Sequence, residues 1–165
     1  MVGLLATRGS ITYGGERVSM TEHALQSADL AELDGALPAL VTAALLHDIG
    51  WLLRGGGGHG DRGARQLATI FGPDVTEPIH LHVAAKRYRC TVDPTYGVGL
   101  SAASTRTFRA QGGLMDGQAR AVFDAEPWAE SALALRDYDD RAKVPGAATP
   151  DLAHFAAVAR ACLGN

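Results

Sequence analysis

The tetrapeptide His47-Asp48-Ile49-Gly50 closes the apolar run Leu40-Val41-Thr42-Ala43-Ala44-Leu45-Leu46. It puts an imidazole and a carboxylate on adjacent residues at the rim of a packed helix. Neighbouring side chains on a helix diverge by about 100°, so His47 can hold one ion while Asp48, with two oxygens, bridges to a second. The pair is a candidate dinuclear metal centre, with Gly50 letting the chain turn away. A helix ending in His and Asp before Gly also reads as an ordinary C-terminal stop. Against that, Asp at a helix C-terminus opposes the macrodipole and needs a reason to be there.

Further potential ligands lie far apart in the chain: His23, His59, His82 and Asp139, each on or beside a different predicted helix. His80 and His82 are two apart and point to opposite sides of a helix, so at most one faces a buried site. His82 shares a face with Lys86 among Val83 and Ala85 and is the choice; His80 is left to solvent. Asp139 shares a stripe with Leu135 and Ala142, whereas Asp140 shares one with Arg136 and Lys143, so Asp139 is the inward carboxylate. Four imidazoles and two carboxylates suffice for two octahedral first-row ions with positions left open. Ligation by nitrogen and oxygen without thiolate argues for iron or manganese over structural zinc. Scattered, unrelated histidines are the plain alternative.

The elements that must position these groups are helical. Residues 1–18 show little helical periodicity and read as an N-terminal arm, with Tyr13-Gly14-Gly15-Glu16 suited to a flap; residues 19–165 form the core. Ser19 and Glu22 make a capping box that starts a helix reaching Gly35. Pro38 opens the second helix, which ends at the His-Asp pair. Gly55–Gly58 lacks the Gly-Lys-Ser/Thr of a phosphate loop and is a connector. A third helix leads from His59-Gly60-Asp61 to Phe71, and a fourth runs from Ile79 to Cys90. Thr91–Gly99 is a loop, Ser101 opens a helix through Ala110, Asp116 caps one through Phe123, and a longer one spans Pro127 to Lys143. Pro150 and Leu163 bound the last. No repeat, heptad array or alternating strand pattern occurs, so the class is all-α, one domain.

Bulk properties narrow the partners. A chain of 165 residues with 47% hydrophobic content can bury a sizeable core. A formal charge of −3 gives no general attraction to nucleic acid or an anionic membrane, so an anionic ligand must be held by a local cluster. Cys90 and Cys162 make no disulfide framework, Met1–Ala6 is too short for a secretory segment, and no apolar run reaches spanning length. The expectation is a cytoplasmic protein with reduced thiols.

His23, His47-Asp48 and Asp139 match the His…His-Asp…Asp signature of the HD-domain superfamily, and His59 and His82 match the extra histidines of its dinuclear branch. Tyr13-Gly14-Gly15-Glu16, Glu22-His23-Ala24-Leu25-Gln26, His82-Val83-Ala84-Ala85-Lys86-Arg87-Tyr88, Gln111-Gly112-Gly113 and Asp139-Asp140-Arg141-Ala142-Lys143 add to this. Over residues 11–146 the chain resembles the mixed-valent diiron oxygenases of the PhnZ/TmpB type, which act in phosphonate catabolism. The resemblance implies a single HD-domain helical bundle, two irons in the Fe(II)/Fe(III) state and O2 as co-substrate. The implied reaction cleaves the C–P bond of a small 1-hydroxyphosphonate, such as 2-amino-1-hydroxyethylphosphonate, giving glycine and phosphate, or of its N-trimethyl analogue.

Position by position, the resemblance implies that His23, His47, Asp48 and Asp139 hold one iron and that Asp48, His59 and His82 hold the other. It assigns Lys86, Ser104 and Arg136 to the phosphonate, and Tyr13 and Glu16 to a flap over the substrate, with Tyr13, Glu16 and Lys86 catalytic. Glu16 would stand near the substrate amine. The link from Asp48 to His59 departs from the family in being short and glycine-rich, so the cover over the metals is expected to be reduced. A metal-dependent HD phosphohydrolase acting on a nucleotide or other phosphoester is the alternative. An oxygenation of the inositol-cleaving kind shares the ligand series, but the cations here suit a phosphonate better.

Overall fold

Pro38–Leu46, helix α3, follows two shorter-range elements, α1 (Val2–Arg8) and α2 (Met20–Leu33). It has no polar face: Val41, Thr42, Ala43, Ala44, Leu45 and Leu46 are all buried. A helix apolar all round must be enclosed, and α2, α5 (Pro73–Val92), α9 (Ala129–Arg141) and α10 (Leu152–Ala161) pack about it. The remaining elements are a 3-10 turn at Ile49–Leu52, α4 (His59–Leu67), α6 (Pro94–Val98), α7 (Ala102–Ala110) and α8 (Gly117–Asp124). This computed structural model describes residues 1–164; Asn165, the last residue of the expected core, lies outside the described residues. Among the described residues there is no strand, only the isolated bridges Thr12–Ser19 and Phe71–Leu163. The expected all-α bundle is the fold.

The main core gathers Leu45, Leu46, Ile49, Leu67, Val75, Ile79, Leu135 and Phe155. A second apolar cluster, built on Leu81, Ala85, Met115, Phe123 and Ala132, fixes α8 against α5 and α9. Both capping predictions hold in detail. Ser19 Oγ accepts from Glu22 N while Glu22 accepts from Ser19 N, and Asp116 accepts from Ala119 N.

Three local expectations are corrected. Within the supposed irregular arm, Val2–Arg8 is helical; Leu5 is buried in the main core, and Thr21 Oγ1 donates to Leu5 O at 3.0 Å. The fourth helix begins at Pro73, with Gly72 as N-cap, and runs through Pro78. Proline removes one backbone bond there, offset by burial of Val75, Thr76, Pro78 and Ile79. The supposed loop Thr91–Gly99 contains a one-turn helix, capped by Asp93 and opened by Pro94.

Candidate metal centre

Six buried side chains from five parts of the chain meet in two groups: His23, His47 and Asp139, and beside them Asp48, His59 and His82. Within each group the ligand atoms lie within 4.8 Å of one another. Asp48 links the two. Its Oδ2 is 3.5 Å from His47 Nε2 and 4.0 Å from His23 Nε2, and its Oδ1 is 3.0 Å from His59 Nε2 and 3.7 Å from His82 Nε2. His23 Nε2 stands 3.4 Å from Asp139 Oδ1.

Local backbone explains this convergence. His47 caps the C-terminus of α3, and the 3-10 turn then carries Asp48 out of helical register toward α4. Gly50, in the 3-10 turn where the chain leaves α3, lets two backbones touch. A Cβ there would lie 1.9 Å from His59 O, so only glycine lets the start of α4 approach Asp48. His82 and Asp139 project from α5 and α9, and His23 from the first turn of α2.

The donor set fits metal ions. His23, His47 and His82 direct Nδ1 at the carbonyls of Ala142, Ala44 and Ile79, at 2.8, 2.8 and 2.6 Å. Those rings therefore carry the proton on Nδ1 and turn an Nε2 lone pair into the centre, the usual way of orienting a metal-binding imidazole. His23 Nε2 and His47 Nε2 are 3.2 Å apart, and His59 Nε2 and His82 Nε2 are 3.0 Å apart. In the His23–His47 pair, whose protons both sit on Nδ1, two lone pairs face each other and repel unless a cation lies between them. Asp48 Oδ1 is buried and has no hydrogen-bond partner, an expense that coordination would remove.

Electrostatics keep the ligands in their binding forms. Burial lowers His82 to about 3 and His23 to about 4, the latter against the raising effect of Asp139. Both are neutral at pH 7. Burial alone would raise Asp48, but His47, His59 and His82 hold its carboxyl well below the usual range. Burial likewise opposes ionisation of Asp139, which Arg136 and Lys143 overcome.

Against the second group lies a small chamber of about 40 Å³, whose lining includes Lys86, Ser104, Thr107, Gln111 and Arg136. Lys86 Nζ donates to Thr107 Oγ1 at 2.8 Å, and Gln111 Oε1 is buried without a partner. Arg136 is largely committed to carboxylates, donating to Asp139 and Asp140, and its Nε also donates to Tyr96 Oη at 3.0 Å. A wider antechamber of about 240 Å³ adjoins it, lined by Ile11, Tyr13, Glu16, Met20, Trp51 and Ala103 among others. Tyr13, Trp51, Ser104 and Thr107 line both.

The Tyr13-Glu16 segment covers the first group. The Tyr13 ring stacks on His23, 3.8 Å between centroids, and its hydroxyl is 3.4 Å from Asp139 Oδ1. Gly14 and Gly15 have φ of 53° and 92°, which their lack of a side chain permits. Ser101 Oγ donates to Glu16 Oε1 at 2.5 Å and Arg106 to Gly14 O at 3.2 Å, tying the segment to α7. Over the second group, the Trp51 indole stacks on His59. Of the eleven site residues named from sequence, nine line the two joined chambers, and His23 and His47 belong to the first ligand group without lining either. His80 is on the surface with Asp61, and Asp140 stands behind Arg136. Thr107, Ser101, Gln111 and Trp51 were not named as site residues. Gln111 alone had a signal, the Gln-Gly-Gly motif.

No family model matches the chain. It is 45% identical to a hydroxymethylphosphonate dioxygenase of Gimesia maris, over 97% of this chain and 85% of that protein. It is 38% identical to the glycine-betaine-forming [1-hydroxy-2-(trimethylamino)ethyl]phosphonate dioxygenase of Leisingera caerulea, over 93% and 84%. The chain belongs to the PhnZ-type phosphonate dioxygenase family. Membership does not favour the phosphohydrolase reading. The chain is also 33% identical to an uncharacterised protein, L432, of Acanthamoeba polyphaga mimivirus, over 87% of this chain and 71% of that one. No helix among the described residues is long and apolar enough to cross a membrane.

Proposed function

We propose that the chain catalyses O2-dependent cleavage of the C–P bond in a small 1-hydroxyphosphonate. The observation that carries this reading is one carboxylate shared by two buried ligand groups, next to a chamber lined by a cation and hydroxyls. His23, His47, Asp48 and Asp139 would hold one iron, and Asp48, His59 and His82 the other. Irons bound there, in the Fe(II)/Fe(III) state, supply a Lewis acid for the substrate's oxygens and electrons for dioxygen.

The residues around them bind, orient and exclude water. Lys86 has three N–H donors and spends one on Thr107, leaving two for phosphonate oxygens. Ser104 adds a hydroxyl, and Arg136 adds positive charge while its own N–H groups brace Asp139. Tyr13 shields the first group and holds its hydroxyl against Asp139 until substrate enters. Glu16 faces the antechamber, where a carboxylate suits an ammonium tail.

The substrates in the two relatives' names share a phosphonate on a hydroxyl-bearing carbon and differ in the tail. For hydroxymethylphosphonate, O2 places one oxygen on carbon and one on phosphorus, and formate and phosphate balance the atoms. For 2-amino-1-hydroxyethylphosphonate the carbon product is glycine. The test is protein loaded with Fe(II) anaerobically and given hydroxymethylphosphonate, the 2-amino compound or its N-trimethyl analogue. Phosphate release from at least one, matched by O2 consumption, is expected; equal release without O2 contradicts the proposal.

A further inference from the structure

Three of the four histidines at the centre are oriented by a backbone carbonyl on Nδ1. Among the described residues no carbonyl does this for His59. Its ring is instead covered by Trp51, centroids 4.5 Å apart and planes within 15° of parallel. His59 is also the first residue of α4, directly after Gly55–Gly58, so the chain before it offers little restraint.

Trp51 itself is 52% exposed, so the core is not what fixes it there. It sits in the 3-10 turn that follows Asp48 and donates its backbone N–H to Asp48 O at 3.0 Å. One short turn therefore brings a carboxylate oxygen within 3.0 Å of His59 Nε2 and an indole against the same ring's face.

We propose that Trp51 is the positioning residue for His59, holding the imidazole plane so that Nε2 faces Asp48 and His82. It takes the part that carbonyls play for the other three histidines. The proposal rests on the two-ion reading above. It makes the Asp48, His59 and His82 group the one whose metal affinity depends on an aromatic face.

The experiment is anaerobic equilibrium dialysis with Fe(II) on the wild type and on Trp51→Phe, Trp51→Leu and Trp51→Ala. Removing a group that orients a metal-binding imidazole weakens metal affinity by about 10- to 100-fold. Phe keeps a stacking face and should keep two irons per chain. Leu, bulky but not planar, and Ala should weaken the second iron by that factor and leave the first unchanged. Two irons bound by the Leu and Ala variants with wild-type affinities would overturn the proposal. A wild type that binds one iron overturns the two-ion reading and this inference with it.

A second readout leaves Trp51 in place. The chain has two tryptophans, and Trp128 belongs to the second apolar cluster. In a Trp128→Phe variant all indole emission comes from Trp51, so quenching should track filling of the Asp48, His59 and His82 group and be lost in a His59→Ala variant. No quenching once two irons are bound, or the same quenching in His59→Ala, contradicts the assignment.

Discussion

Asp48 presents one oxygen to each ligand group, and neither oxygen is replaceable by a neutral amide of the same shape. Asp48→Asn should therefore lose at least one iron per chain. Turnover should fall by more than the roughly 10- to 100-fold that changing an outer hydrogen-bond partner costs; metal analysis and O2 uptake check both. Lys86 gives a pH dependence. Burial first, then the neighbouring Arg136, pushes its ammonium down to about 8. The charged form prevails below that pH and is lost above it, so phosphonate binding is intact below pH 8 and KM climbs about tenfold per further unit. In Lys86→Arg the guanidinium stays charged, so this alkaline limb should move beyond about pH 10. The six side chains that converge were legible as an ordered series of histidine and aspartate, residues that are costly to bury without a task. Thr107 and Trp51 were not, because their roles depend on how α7 docks and on a one-turn bend after α3.

Elements bring these side chains together, and α4 is the most exacting. Gly50→Ala would drive a methyl into the His59 carbonyl. Such overpacking costs about 1–3 kcal/mol, and the variant should lose the second iron before the first; calorimetry and iron titration read the two effects. At Gly3, in α1, an added methyl would meet nothing within 4 Å. Gly3→Ala should raise stability by up to about 1 kcal/mol with no change in iron content. Four helix starts were readable from Ser19, Ser101, Asp116 and Pro38, where side-chain or proline chemistry meets orphan backbone groups. α1 and α6 escaped because helices of seven and five residues carry too few turns for periodicity to register. Asp93-Pro94, an N-cap followed by N1 proline, was the available signal for α6.

Over the whole molecule, the six side chains come from α2, the end of α3, α4, α5 and α9, so metal bound among them would tie together elements distant in the chain. A ligand that binds the folded state alone stabilises it by about 2.7 kcal/mol at a hundredfold excess over its dissociation constant. For a chain of this size that is about 5–11 °C in Tm. Chelation should lower Tm by such an amount in the wild type and by less in Asp48→Asn. The helical class was readable from the absence of any alternating pattern, and the two-chamber arrangement was not, since it arises from contacts between distant segments.

The central claim is a pair of irons sharing Asp48. It is tested most directly by anomalous diffraction at the iron edge from crystals grown anaerobically with Fe(II). The account predicts two peaks about 3.5–4 Å apart, one among His23, His47 and Asp139 and one beside His59 and His82, with Asp48 between them. A single peak, or two that do not share Asp48, would contradict it.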